Sequence, residues 1–286
     1  MKLGVLASGT LGFQILQKIS TSYCIRFVMT DTNSTEIISY CENSNLSVFV
    51  GNPRTESAIL FFKRIEIDVL ISVNYLFLIE KELIKHPSKL AFNIHGSLLP
   101  KYRGRTPHVW AIINNEIETG VTAHLIDEGC DTGDIIHQKK IIIDYNDTGA
   151  IILEKFSQLY FPLIQMVLSQ ISNNSLNIFK QDSRKATYFG RRKANDGEIN
   201  WEWQKERIRN WVRAQAYPYP GAFTFVDNQK LVIDKVDFFD YNYNSEMPNG
   251  IVLKLVPLLV KTPNGVVMLS KIRNQVQGLK EGILLK

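Results

Sequence analysis

Through the first hundred residues, short apolar runs alternate with segments of helical spacing, and this alternation limits the fold more than any other feature. "KLGVLA" (2–7), "YCIRFVMTD" (23–31), "LSVFV" (46–50), "DVLISVN" (68–74) and "LAFNIHGS" (90–97) read as strands. "FQILQKI", a segment beginning near Ser34, and "ESAILFFKRI" (56–65) read as the helices between them. Apolar strands separated by helices imply an α/β fold, Rossmann-like, with a mostly parallel sheet covered on both faces. "TGVTAHLID" (119–127) and "GDIIHQKKIII" (133–143) add two strands. Residues 147–172 read as a long amphipathic helix, with a kink expected at Pro162. Polarity rises over 172–200, which reads as a linker, and the remainder is strand-like with Asp-Asn and Asn-Gly turn signals. The expected organisation is a larger domain over 1–182 and a smaller β-rich C-terminal domain over 183–286.

Two loops follow strands in a way that invites ligands. Ser8-Gly9-Thr10-Leu11-Gly12 leaves the first strand and opens a helix, but lacks the full G-x-G-x-x-G spacing. It reads as a bare βα turn, a dinucleotide site, or a contact to some other phosphate-bearing substrate. "FNIHGSLLPKYRGRTP" (92–107) is more specific. Strand side chains alternate, so Asn93 and His95 share one face while Phe92 and Ile94 take the other. Both polar groups stand at the C-terminal end of a strand, where open α/β sheets bind ligands.

"EGCDTGD" (128–134) adds a glycine-bracketed acidic loop with Asp131 at its middle. It lacks the ligand spacing of a calcium loop, so no metal is expected there. Together Asn93, His95 and Asp131 make a chemical set. An amide can donate to an oxyanion, an imidazole can take a proton near neutral pH, and a carboxylate can hold the imidazole or relay a proton. No serine or cysteine stands as a nucleophile: Ser97 is close, but "HGSLLP" is not a G-x-S-x-G elbow. The set therefore suits a nucleophile carried by the substrate, such as an amine attacking an acyl donor. His124 lies on the same side as Thr122, with a support role behind the acidic loop expected. Trp110 and Trp211 read as core or interface residues.

The two motifs, "FNIHGSLLPKYRGRTP" and "TGVTAHLIDEGCDTGDII", together resemble the folate-dependent formyltransferase family. "RAQAYPYPGAFT" (213–224) is similar to a segment found in methionyl-tRNA formyltransferases and nucleotide-sugar N-formyltransferases. Gly96, Arg105-Thr106-Pro107 and "YPYPGAF" resemble the sugar branch more closely. The resemblance implies a formyltransferase domain with Asn93, His95 and Asp131 catalytic and 10-formyltetrahydrofolate as formyl donor. It implies a folate site at Leu76, Phe77 and Leu78, at Ser97, Leu98, Leu99 and Pro100, and at Asp127, Glu128, Gly129 and Asp131. It implies contacts to a nucleotide-linked amino sugar, carried on dTDP, UDP or GDP, from Ser8, Gly9 and Thr10, from Lys101, Tyr102, Arg103, Gly104 and Arg105, and from Tyr217. Read from the residues themselves, Arg191 in the basic run "FGRRK" (189–193) is a candidate contact to a sugar pyrophosphate, against an exposed basic linker, and His108 at a helix start is a candidate contact to the sugar. The product would serve glycan or lipopolysaccharide O-antigen synthesis.

Two alternatives stand beside this reading: formylation of methionyl-tRNA, and a non-catalytic folate- or nucleotide-binding module. A formal charge of +5 and the absence of a long basic insertion argue against a nucleic-acid partner. Three cysteines without a Cys-x-x-Cys pair point to a reducing compartment, hence the cytoplasm, and argue against a zinc site. No run approaches about 20 uninterrupted apolar residues, so no membrane span is expected. The strand edges of the C-terminal part suggest a homodimer.

Overall fold

The computed structural model describes residues 1–286. In chain order the elements are β1 (Lys2–Ala7), α1 (Gly9–Ser20), β2 (Cys24–Thr30), α2 (Thr35–Asn43), β3 (Val48–Val50), α3 (Glu56–Lys63), β4 (Val69–Val73), α4 (Lys81–Ile84) and β5 (Leu90–His95). There follow β6 (Arg103–Gly104), α5 (Pro107–Ile113), β7 (Glu118–Leu125), β8 (Ile135–Ile142), α6 (Gly149–Ser172), β9 (Tyr188–Phe189) and α7 (Lys205–Ala214). The last five strands are β10 (Ala222–Val226), β11 (Gln229–Phe239), β12 (Val252–Lys254), β13 (Leu259–Thr262) and β14 (Gly265–Ile272).

Seven strands form one sheet in the order β3-β2-β1-β4-β5-β7-β8. β1 to β5 pair in parallel, as the alternation of strands and helices requires. The central strands are buried continuously rather than alternately: every residue of β4 is buried, and every residue of β1 after Lys2, as helices on both faces demand. The order reverses between β1 and β4, so the C-terminal ends of these strands open a crevice. β7 departs from the parallel pattern and runs antiparallel to β5. It re-enters the sheet at the end where β5 leaves, so no crossover is needed. The register sets Asn93 opposite His124 and His95 opposite Thr122.

The chain divides into two compact units. The first holds residues 1–104, 120–141 and 155–189; the second holds 105–119, 142–154 and 190–286. In the first unit, α6 buries Phe156, Tyr160, Leu163, Ile164, Val167, Leu168 and Ile171. That spacing is one helical stripe, each member contributing about 1.5–3 kcal/mol of burial. By length and composition α6 is apolar enough to cross a membrane. The buried stripe is that of a core helix. The helix continues through Pro162.

The polar stretch read as a linker carries pairing of its own. Phe179 exchanges backbone hydrogen bonds with Ile135 at 2.7 and 2.8 Å, and β9 pairs in parallel with β6. Its side chains are polar because they are largely exposed, while its backbone up to Phe189 belongs to the first unit and from Gly190 to the second. The second unit is built on an antiparallel sheet, order β10-β11-β14-β13-β12. Its core gathers Ile208 and Val212 of α7 with Leu231, Ile233, Val260 and Val267 of the sheet. Trp201 is buried there and donates its indole N–H to Thr224 Oγ1 at 2.9 Å.

Candidate active site

β5 places Asn93 and His95 on one face, and the antiparallel register brings His124 to the same face. His95 Nε2 lies 2.8 Å from the Tyr102 carbonyl. A carbonyl only accepts, so Nε2 carries the proton and Nδ1 is the basic atom in the neutral ring. That Nδ1 lies 3.5 Å from Asp131 Oδ1. His124 is fixed by the same logic. Its Nδ1 donates to the Leu125 carbonyl at 2.7 Å, so its Nε2 accepts from the Asn93 amide at 3.1 Å. This orients the Asn93 amide with Nδ2 toward His124 and leaves one N–H for another acceptor.

Asp131 closes the group. Its backbone φ is 55°, an uncommon conformation for a residue with a side chain. Its Oδ2 accepts the Gly104 N–H at 2.8 Å, and its Oδ1 is 3.6 Å from His124 Nε2. Gly104 has φ +99°, and a Cβ there would stand 2.4 Å from the Phe189 carbonyl oxygen, so glycine alone suits this donor. Burial by itself would raise the Asp131 carboxyl. The neighbouring imidazoles of His95 and His124 and the Gly104 N–H outweigh burial and hold it well below the usual carboxylate range. Burial pushes His95 down, against the opposing pull of Asp131 and of the Tyr102 carbonyl. The resting pair is a neutral imidazole beside an ionised carboxylate: a base with its counter-charge already in place.

The flanking loops are braced. Thr122 Oγ1 donates to the Ser97 carbonyl at 2.6 Å and accepts from Leu99 N–H at 3.2 Å and Gln138 Nε2 at 2.9 Å. Gln138 also donates to the Leu99 carbonyl at 2.8 Å. Ser97 and Leu99 are buried, Leu98 and Pro100 half-buried. Gly96 packs against α6: a Cβ would meet Phe156 at 3.0 Å and Tyr160 Oη at 3.3 Å. In the acidic loop Asp127 accepts from Gly129 N–H at 3.1 Å and from Thr132 Oγ1 at 2.7 Å. Asp127, Glu128 and Gly129 are exposed, as are Leu76 and Leu78, with Phe77 half-buried between the leucines.

The predicted substrate residues divide. Gly9, Thr10 and Lys101 are exposed, and Ser8 is buried. Tyr102 is buried and stacks on Phe189, ring centroids 5.0 Å apart. Arg103 is 4% exposed, its guanidinium committed to Gln181 and Tyr188. Arg105, His108, Arg191 and Tyr217 belong to the second unit. There Arg105, Arg191 and Tyr217 are exposed, whereas His108 is buried with Nε2 2.8 Å from Tyr219 Oη. Next to Arg191, Arg192 lies between the rings of Trp110 and Trp211, 5.1 and 4.2 Å from their centroids. The two tryptophans thus hold a cation. Sequence reasoning missed the direct contacts of His124 with both Asn93 and Asp131, and it missed Gln181 altogether.

His108 supplies a test of burial. Desolvation lowers its pKa from 6.5 to about 4. Between those values the unfolded chain binds the extra proton, so stability is complete above pH 6.5 and is lost as pH falls toward 4. The shift corresponds to about 3 kcal/mol. Denaturant unfolding at pH 7.0, 5.5 and 4.5 measures the loss, which His108→Gln should reduce. An equal slope in both proteins would place His108 in contact with water.

Residues 38–168 match the formyl transferase family, and residues 191–278 match the formyl transferase C-terminal domain. Solved structures of the same fold span nearly the whole chain. A sugar 3N-formyl transferase, solved with dTDP and 5-N-formyl-THF, is 24% identical, covering 96% of this chain and 99% of its own at a TM-score of 0.71. An N-formyltransferase from Helicobacter canadensis, solved with folinic acid and dTDP-3-aminofucose, is 23% identical over 96% of this chain and 100% of its own, with a TM-score of 0.73. The methionyl-tRNA formyltransferase of Clostridium thermocellum is 20% identical over 84% of this chain and 94% of its own, with a TM-score of 0.60. The two family matches together span about three quarters of the sequence, and their first segment contains Asn93, His95, His124 and Asp131. By these matches the chain belongs to the formyl transferase family.

Proposed function

We propose that the chain transfers a formyl group from 10-formyltetrahydrofolate to the amine of a nucleotide-linked amino sugar. The observation that carries this is the convergence of an amide, an imidazole and a carboxylate with no protein nucleophile among them. The likeness to sugar N-formyltransferases over nearly the whole chain supports the choice of acceptor.

The exposed leucines at 76 and 78 suit a flat heteroaromatic ring. The exposed 127–129 segment beside Asp131 offers backbone donors and acceptors for its edge. The folate supplies an activated formyl group. His95 takes the proton from the attacking amine at Nδ1, worth about 10²–10⁴ in rate. The imidazolium that results sits between two acceptors already present, Asp131 and the Tyr102 carbonyl. The remaining N–H of Asn93 meets negative charge developing on the formyl oxygen. Asp131 stabilises the His95 imidazolium, which passes its proton on to the leaving nitrogen. In the first unit Lys101 is an exposed cation suited to a phosphate; in the second, Arg105 and Arg191 are exposed cations of the same kind, and Tyr217, 70% exposed, offers a ring to a base or sugar.

The outer edges of β10 and β12, on which the expectation of a homodimer rests, are met within the chain: Phe223 and Phe225 share backbone hydrogen bonds with Ile199 and Lys286, and Val252 with Gly282 and Ile283. A cytoplasmic setting is supported by three free cysteines, and synthesis of a formylated lipopolysaccharide or other glycan would consume the product. The purified protein is tested with dTDP-, UDP- and GDP-linked amino sugars, each at saturating donor. One of the three is expected to give kcat/KM at least about 10⁴ M⁻¹s⁻¹, the lower end of ordinary enzymes. Values far below this for every sugar, with efficient use of methionyl-tRNA, would move the chain to the tRNA reading.

A further inference from the structure

We infer that Gln181 is a positioning residue that holds the Asp131 loop in its working shape, tying it to the buried Arg103. One amide makes four hydrogen bonds in two directions. Its Nε2 donates to the Asp131 carbonyl at 2.9 Å and to the Gly133 carbonyl at 2.7 Å. Its Oε1 accepts from Arg103 Nε at 3.1 Å and Nη2 at 2.7 Å. Arg103 completes its contacts with the Tyr188 hydroxyl.

The chemistry of this arrangement demands glutamine. Two carbonyl oxygens must be met by donors and a guanidinium by an acceptor, and a primary amide offers both at one position. The loop it grips needs gripping. Asp131 stands at φ 55°, and Gly133 is packed so closely that a Cβ would lie 1.8 Å from the Leu125 carbonyl oxygen. Seating the backbone on both sides of Thr132 fixes where the Asp131 carboxylate points. The preceding segment is fixed from the same amide, since Arg103 adjoins Gly104, whose N–H binds that carboxylate. Gln181 thus controls both the loop that carries the acid and the donor that holds it.

The inference rests on the reading of the site given above only for its kinetic arm; its titration arm stands without turnover. Gln181→Glu keeps the acceptor for Arg103 and loses both donors, setting a carboxylate against two carbonyl oxygens. If seating the loop is the role, kcat falls about 10²-fold with little change in KM, as for a misplaced catalytic group. If Gln181 only packs Arg103, the new ion pair leaves kcat unchanged, and the inference fails. Gln181→Met, of the same length with neither donor nor acceptor, is read by NMR titration of the His95 ring, assigned with His95→Gln. The groups facing His95 and Asp131 are His124 from β7, Tyr160 from α6 and Cys130 from the loop itself. The charge of Asp131 raises His95, so a displaced carboxylate lowers its titration, in the direction given by Asp131→Asn. An unmoved midpoint in a folded Gln181→Met protein overturns the inference even where melting temperature drops. Should wild type show no formyl transfer while Gln181→Met still lowers the His95 midpoint, the functional reading fails and the positioning role stands.

Discussion

Replacement of His95 by alanine is expected to lower kcat by about 10²–10⁴-fold while the affinity for donor and acceptor changes little. The Nδ1 atom faces Asp131 at 3.5 Å, and the Nε2 proton is committed to Tyr102, so the ring has one basic position and it faces the acid. Alanine also leaves the Tyr102 carbonyl without its donor, at about 1–3 kcal/mol if water does not reach it. His95→Gln separates the two effects, since its amide can still donate to that carbonyl but cannot take a proton. The same loss of rate in both variants, with stability restored in the second, identifies proton transfer as the role. The pH profile gives the sign independently. Protonated His95 is no base, and burial lowers its pKa, so kcat/KM falls with decreasing pH at a point below the ordinary 6.5. Retention of near wild-type kcat by His95→Ala would remove the imidazole from the chemistry.

Asn93→Ala is expected to cost about 10²–10³-fold in kcat, the usual effect of deleting an oxyanion donor. The amide is pre-oriented: His124 Nε2 takes one of its N–H groups at 3.1 Å, while Nδ1 of the same ring donates to the Leu125 carbonyl at 2.7 Å. The donor therefore needs no reorganisation when charge develops. The loss falls on kcat rather than KM, because the contact strengthens only in the transition state. Steady-state kinetics of Asn93→Ala, with donor binding measured separately, decide this; a rise in KM with unchanged kcat would make Asn93 a ground-state contact.

How much of this could be read beforehand follows from what each residue depends on. Asn93 and His95 depend only on strand alternation, so two residues of sequence sufficed to place them on one face. Asp131 announced itself through its glycine-bracketed loop, although its left-handed backbone did not. His124 depends on the pairing of β7 with β5, and a slip of one residue would turn it to the opposite face. Its shared side with Thr122 was legible; its contacts with Asn93 and Asp131 required the register. Gln181 lies 50 residues from Asp131 and 78 from Arg103, inside a stretch whose polarity read as a linker. Composition there reported the exposure of side chains and was silent about backbone pairing. Arg192 misled in a related way: a basic run suggests a solvated or anion-binding surface, while the fold stacks this one cation between Trp110 and Trp211. The antiparallel entry of β7 escaped for a plainer reason, since apolar runs carry no direction.

Product analysis by mass spectrometry bears most directly on the central claim. Wild-type protein and His95→Ala are incubated side by side with 10-formyltetrahydrofolate and a nucleotide-linked amino sugar. Wild type should convert the sugar to the species heavier by one formyl group on nitrogen, and His95→Ala should leave it unconverted over the same interval. No formylated sugar from wild type, or equal conversion by both proteins, would contradict the account.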